Sequence, residues 1–150
     1  MADVYKQFKT MTGRLQFLLK LIETGQQEEK INCLIDIGYY LEIPDSNQDD
    51  FRKVVQQLIF LLTKEKDPEV RILFFQKIYT AYLQRMDLSN LNYGPLLHGL
   101  DSKDPIFIRN VLDLLSMTWD KKYKKIFLKY MSHPNEKLRA EALEIFALWS

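Results

Sequence analysis

Cysteine occurs once in 150 residues, at Cys33. No intramolecular disulfide can form, which excludes the disulfide-stapled secreted scaffolds and fits a reducing compartment. Cys33 lies among Ile31, Leu34 and Ile35, so it reads as a small buried hydrophobe, not a reactive thiol. Glycine and proline are scarce too, five of each, and they fall between the apolar stretches. No Asn-Gly or Asp-Gly turn joins alternating segments, so the signature of β-hairpins is missing. No apolar run exceeds the five residues of Leu58–Leu62, far short of a membrane span. The opening stretch, MADVYKQFKTMTGRLQFLLKLIE, has neither the continuous apolar core nor the cleavage site of a signal peptide. A soluble, cytoplasmic protein without membrane association is expected.

Chemistry-bearing patterns are equally thin. Histidine occurs twice, at His98 in an apolar stretch and at His133 before Pro134, and no Cys/His/Asp cluster has metal-ligand spacing. The segment Gly94–Asp101, GPLLHGLD, has the two glycines of a phosphate loop, but Leu100 stands where lysine is required and no strand precedes it. No Gly-x-Ser-x-Gly elbow or Cys–His nucleophile pair occurs. Catalytic, metal and cofactor sites are therefore not expected, and the chain does not read as an enzyme. Net charge is +1, so no overall field draws it to nucleic acid or anionic lipid.

What the chain does have is helical periodicity. Leu15, Leu18, Leu19 and Ile22 make one apolar stripe, Val54, Val55, Leu58, Leu61 and Leu62 another, and Ile126, Phe127, Tyr130 and Met131 a third. One phrase recurs: DPEVR at Asp67–Arg71, DPIFIR at Asp104–Arg109 and HPNEKLR at His133–Arg139. Asp67 and Asp104 suit an N-cap, since a carboxylate accepts from the free N–H groups of a first helical turn. Proline next is at N1, where its missing N–H costs nothing. An apolar helical segment precedes each phrase. The expected pairs are Asp50–Glu65 with Asp67–Met86, Tyr93–Leu100 with Asp104–Met117, and Trp119–Met131 with Pro134–Trp149. A further pair, Tyr5–Glu23 with Gln27–Glu42, fits upstream, with Lys30 standing in for the repeated arginine. Lys30, Arg71, Arg109 and Arg139 are separated by 41, 38 and 30 residues. The repeated phrase thus marks the second helix of a helical hairpin.

Asp67, Val70 and Arg71, then Asp104, Ile108 and Arg109, then Leu138, Arg139, Ala142 and Leu143 resemble the HEAT-repeat family, whose second helix opens with Asp shortly before a Val-Arg pair. The likeness covers about residues 50–150, more weakly 1–49, and the repeat length is below the family's usual range. It implies an all-α, right-handed HEAT-like solenoid of four stacked hairpins, residues 1–150 forming a single domain. An irregular all-helical bundle is the alternative. The resemblance implies a structural role for Asp67, Arg71, Asp104, Arg109 and Arg139, tying neighbouring repeats together. It also implies a groove formed by second helices that binds an extended partner.

The expected function is non-catalytic protein binding, as a small adaptor or an inhibitor of the bacterial immunity type. The alternatives are a nucleic-acid-binding protein resembling HEAT-like DNA glycosylases and a piece of a longer solenoid scaffold. Three features are candidate contact sites. Tyr79 and Tyr82 are amphipathic aromatics of the kind interfaces favour, on a helix otherwise expected to be buried all round. Glu42, Asp45, Asp49 and Asp50 in one linker, with Glu23, Glu28 and Glu29 at the turn before, make an acidic patch for a basic partner. Lys121, Lys122, Lys125 and Lys129 fall near one side of a helix around Tyr123 and make a basic patch; the solvated outer face of a surface helix is its plainer reading.

Overall fold

The computed structural model describes residues 11–42, 48–84 and 91–149. Every regular element among them is helical. Residues gather into two compact units, Met1–Arg85 and Met86–Ser150.

The first unit holds α1 (Met11–Thr24), α2 (Gln27–Leu41), α3 (Gln48–Lys64) and α4 (Pro68–Gln84). α1 packs on α2 and α3 on α4; α1 also meets α3, and α2 meets α4. First helices therefore lie beside first helices and second beside second, in two layers. The apolar stripes supply the core between the layers: Leu15, Leu18 and Ile22 from α1, Leu34 and Ile37 from α2, Val55, Leu58 and Leu62 from α3, and Phe74 and Ile78 from α4, all buried. The turn between α1 and α2 is short because Gln26 opens α2 with a capping box, its own N–H donating to Glu29 Oε1 at 3.1 Å.

The second unit holds α5 (Gly94–Leu97), which runs into a 3-10 turn at His98–Asp101, then α6 (Pro105–Met117), a 3-10 turn at Lys121–Tyr123, α7 (Lys124–Tyr130) and α8 (Glu136–Leu148). α6 packs on α8, α8 on α7, and the His98–Asp101 turn on α6. Tyr130 ties the two pairs together, its hydroxyl donating to the Leu100 carbonyl at 3.2 Å. Burial, then the Asp101 carboxylate, hold that phenol above its ordinary pKa.

Several sequence expectations need correction. α4 is not buried all round: Ile72, Tyr79 and Leu83 reach solvent. The expected Trp119–Met131 helix begins only at Lys121 as a 3-10 turn, because Trp119 has φ 53° and turns the chain left-handed. His133-Pro134 does not open α8. Asn135 does, its side-chain oxygen accepting from Lys137 N and Leu138 N at 3.0 and 3.1 Å, while His133 Nδ1 accepts from Asn135 N. Cys33 is fully buried, and burial, with Asp36 and Glu29 adding to it, pushes its thiol to about 11. It is inert packing.

Gly99 marks the closest approach in the second unit. A Cβ there would lie 2.5 Å from Phe107 Cε1, and Phe107 is buried on α6. Gly99→Ala is expected to cost about 1–3 kcal/mol of overpacking. Urea titration would show it as a lower midpoint at unchanged slope.

Candidate functional site

The repeated phrase builds a polar seam between α2 and α4. Asp67 caps α4, its Oδ1 accepting from Glu69 N at 2.9 Å and Val70 N at 3.2 Å. Its Oδ2 accepts from Gln27 Nε2 at 2.9 Å, so the cap also holds the start of α2. Lys30 reaches across to Glu65, Nζ to Oε2 at 2.8 Å, and Glu65 Oε1 accepts from Asp67 N at 3.1 Å. Arg71 folds back to its own loop, Nε donating to the Glu65 carbonyl at 2.6 Å. Arg139 does the same six residues back, Nη1 to the His133 carbonyl at 3.0 Å. Asp104 caps α6, accepting from Ile106 N at 3.0 Å. Arg109 crosses from α6 to α8 and pairs with Glu141 at 3.4 Å. The seam holds helices; it leaves the outward faces of α2 and α4 to other work.

Those faces carry exposed apolar side chains among polar ones. Successive helical residues rotate by about 100°, so Glu28, Asn32, Ile35, Tyr39 and Glu42 share one side of α2. Glu69, Ile72, Gln76, Tyr79 and Leu83 share one side of α4. All of them are exposed. Both sides point away from the layer of α1 and α3, since the opposite sides carry the buried Leu34 and Ile37 and the buried Phe74 and Ile78. Tyr39 is 67% exposed and Tyr79 47%. Tyr82, by contrast, is 6% exposed: three positions after Tyr79, it rotates toward the core and does not belong to this face. Glu28 and Glu42 stand at the two ends of the α2 strip and Glu69 at the start of the α4 strip, and among the described residues no lysine or arginine shares these ten positions. Lys77 lies between the helices with its stem against Gly38.

The remaining acidic residues do not gather there. Asp45 lies outside the described residues, and Asp49 and Asp50 sit in the first turn of α3. Asp50 lines a cleft of about 340 Å³ between α1 and α3, with Lys20, Glu23 and Lys53 on its rim and Leu15, Leu19 and Val54 on its floor. The rim carries both signs of charge. Of the basic patch, Lys121, Lys125 and Lys129 are exposed, while Lys122 pairs with Asp120 at 3.3 Å.

Two constellations have no signal in the sequence spacing because each joins distant helices. One is a carboxyl pair between α6 and α8. Burial, a hydrogen bond to Glu141 and the charges of Glu141 and Glu144 hold Asp113 well above the usual carboxylate range, against the pull of Arg109. The other is an aromatic stack, with the rings of Trp119 and Trp149 6.0 Å apart and Trp149 edge-on to Phe127 at 5.0 Å. No group of three His, Cys, Asp or Glu residues suited to a metal ion occurs among the described residues. None of the helices among them is long and apolar enough to cross a membrane. Compared with family models, curated proteins and solved structures, the chain matches none.

Proposed function

We propose that this chain is a non-catalytic protein-binding module, HEAT-like in its repeats, that acts as an adaptor or a stoichiometric inhibitor through the outward face of α2 and α4. The observation that carries the reading is the exposure of Ile35, Tyr39, Ile72, Tyr79 and Leu83 on adjacent helices whose other sides fill the core. Contiguous exposed apolar surface with a polar rim is the usual mark of a docking face. Its rim is acidic, through Glu28, Glu42 and Glu69. The partner it fits therefore presents apolar side chains flanked by lysine or arginine, as an amphipathic helix laid along two parallel helices does. Charge of this kind mainly speeds encounter and selects partners, while the aromatic anchors supply the affinity.

The test is a capture experiment from native lysate, with nuclease present, comparing the parent with a Tyr39→Asp/Tyr79→Asp variant. Both tyrosines are exposed, so the variant is expected to melt within a few degrees of the parent. One stoichiometric protein retained by the parent and lost by the variant, with at least about a hundredfold weaker binding in titration, is the expected result. Equal retention by a folded variant would remove this face from the reading.

A further inference from the structure

Trp119 stands where the backbone asks for glycine. It follows the C-cap Thr118 of α6, with φ 53°, the left-handed conformation that disfavours residues with a Cβ. The turn is stitched without help from the indole. Thr118 Oγ1 donates to the Leu115 carbonyl at 2.7 Å and accepts from Asp120 N at 3.1 Å, and Trp119 N donates to the Ser116 carbonyl at 3.3 Å. Nor does the ring fill the core, since Trp119 is 64% exposed. A large aromatic in strained backbone, held out in water, is a feature that folding alone does not explain.

What holds the indole is Trp149, stacked on it at 6.0 Å with 27° between the planes. Trp149 is in turn anchored edge-on against the buried Phe127. The result is a two-ring shelf rooted in the second unit, with much of Trp119 open to solvent. Lys121, Lys122, Lys124, Lys125 and Lys129 follow it closely in the sequence. Lys124 Nζ sits 5.1 Å above the ring of Phe146, one turn before Trp149. Lys121 lies in the exposed 3-10 turn that follows, and Lys125 and Lys129 are exposed one turn apart on α7, a step of about 6 Å. Among the described residues none of these three has a carboxylate partner within ion-pair distance, and the nearby Asp120 is taken by Lys122.

We propose that this shelf binds a single-stranded polynucleotide, one base stacking on the open face of Trp119 and the phosphates following Lys121, Lys125 and Lys129. Every base has a π face, so a flat aromatic beside a row of cations takes single strands without sequence preference. An acidic peptide would satisfy the lysines and leave the strained, exposed indole without use. A duplex would hide its bases from the ring. The surface lies on α6, α7 and α8, so it stands or falls independently of the face on α2 and α4.

The chain's two tryptophans are both in the shelf, so tryptophan fluorescence, excited apart from the eight tyrosines, reports this site alone. We would titrate the whole chain with twenty-residue oligo-dT and oligo-U at low salt, then with a duplex and with polyglutamate. The expected result is quenching by a single strand, weaker binding of duplex and polyglutamate, and affinity that falls steeply with salt. The stronger of the two oligonucleotides identifies DNA or RNA as the source. Trp119→Ala should weaken binding about tenfold or more, and Trp119→Tyr should restore most of it. Trp119→Gly suits the turn, so it should stay folded while losing affinity, read through Trp149 or by anisotropy of labelled oligonucleotide. Lys121→Glu/Lys125→Glu should weaken binding and flatten the salt slope. No quenching by either oligonucleotide, equal binding of polyglutamate, or equal binding of duplex would each overturn the proposal.

Discussion

Glu65→Ala is expected to destabilise the first unit by about 2–4 kcal/mol. Glu65 is 7% exposed at the C-terminal end of α3, and its carboxylate serves two partners. Oε2 takes Lys30 Nζ at 2.8 Å, and Oε1 takes the Asp67 N–H at 3.1 Å. Truncation leaves a half-buried ammonium and a half-buried N–H unanswered. Lys30 can swing partly to water, which keeps the cost below that of a fully sealed pair. The bond from Arg71 Nε to the Glu65 carbonyl survives the truncation, since it goes to the backbone. Lys30→Met should also destabilise, by stranding the more deeply buried Glu65. In a double-mutant cycle the pair should couple by about 1–3 kcal/mol. Additive losses in urea titrations of the four proteins would mean that the pair does not hold α2 to α3 and α4. The Arg109–Glu141 pair is a useful contrast: at 3.4 Å and with Arg109 more than half exposed, its coupling should stay below about 1 kcal/mol.

Asp113→Asn carries the second large effect, and its sign depends on pH. Burial first, then the hydrogen bond to Glu141, raise the folded carboxyl of Asp113 well above its unfolded value. The folded state therefore keeps a proton that the unfolded chain has lost. Stability is fully present below the unfolded pKa and is lost progressively as pH rises toward the folded one. The groups facing Asp113 are Glu141 and Glu144 on α8 and Arg109 on α6, of which only Arg109 favours the charged form. Part of Asp113 is solvated, so screening reduces the penalty to about 1–2 kcal/mol at pH 8. An asparagine can donate the same hydrogen bond without ionising. The variant should match the parent near pH 4 and exceed it above neutrality, with a flatter melting-temperature profile between. Parallel profiles for parent and variant would place the proton elsewhere.

Periodicity made the all-helical fold legible because burying one side of a helix needs only a 3.6-residue repeat of apolar side chains, and that pattern is local. The Asp-Pro phrases likewise announced α4 and α6, since capping is settled within four residues. The same logic misplaced the start of α8. Histidine before proline has the shape of the phrase, but Asn135 offers an oxygen to Lys137 N and Leu138 N, and the helix begins there. Tyr79 and Tyr82 illustrate the limit for sites. Both are interface-type residues, and only their rotation about α4, set by which side meets the core, separates the exposed one from the buried one.

From its sequence alone this protein was bound to be helical, paired and free of disulfides, because composition, spacing and capping act over a few residues. Only tertiary structure decided which side of α2 and α4 faces water, that Lys30 closes on Glu65, that Asp113 is set against Glu141, and that Trp119 lies on Trp149. Each of those facts joins residues some 30 or more positions apart, or depends on a neighbouring helix, and no local rule reaches across that distance.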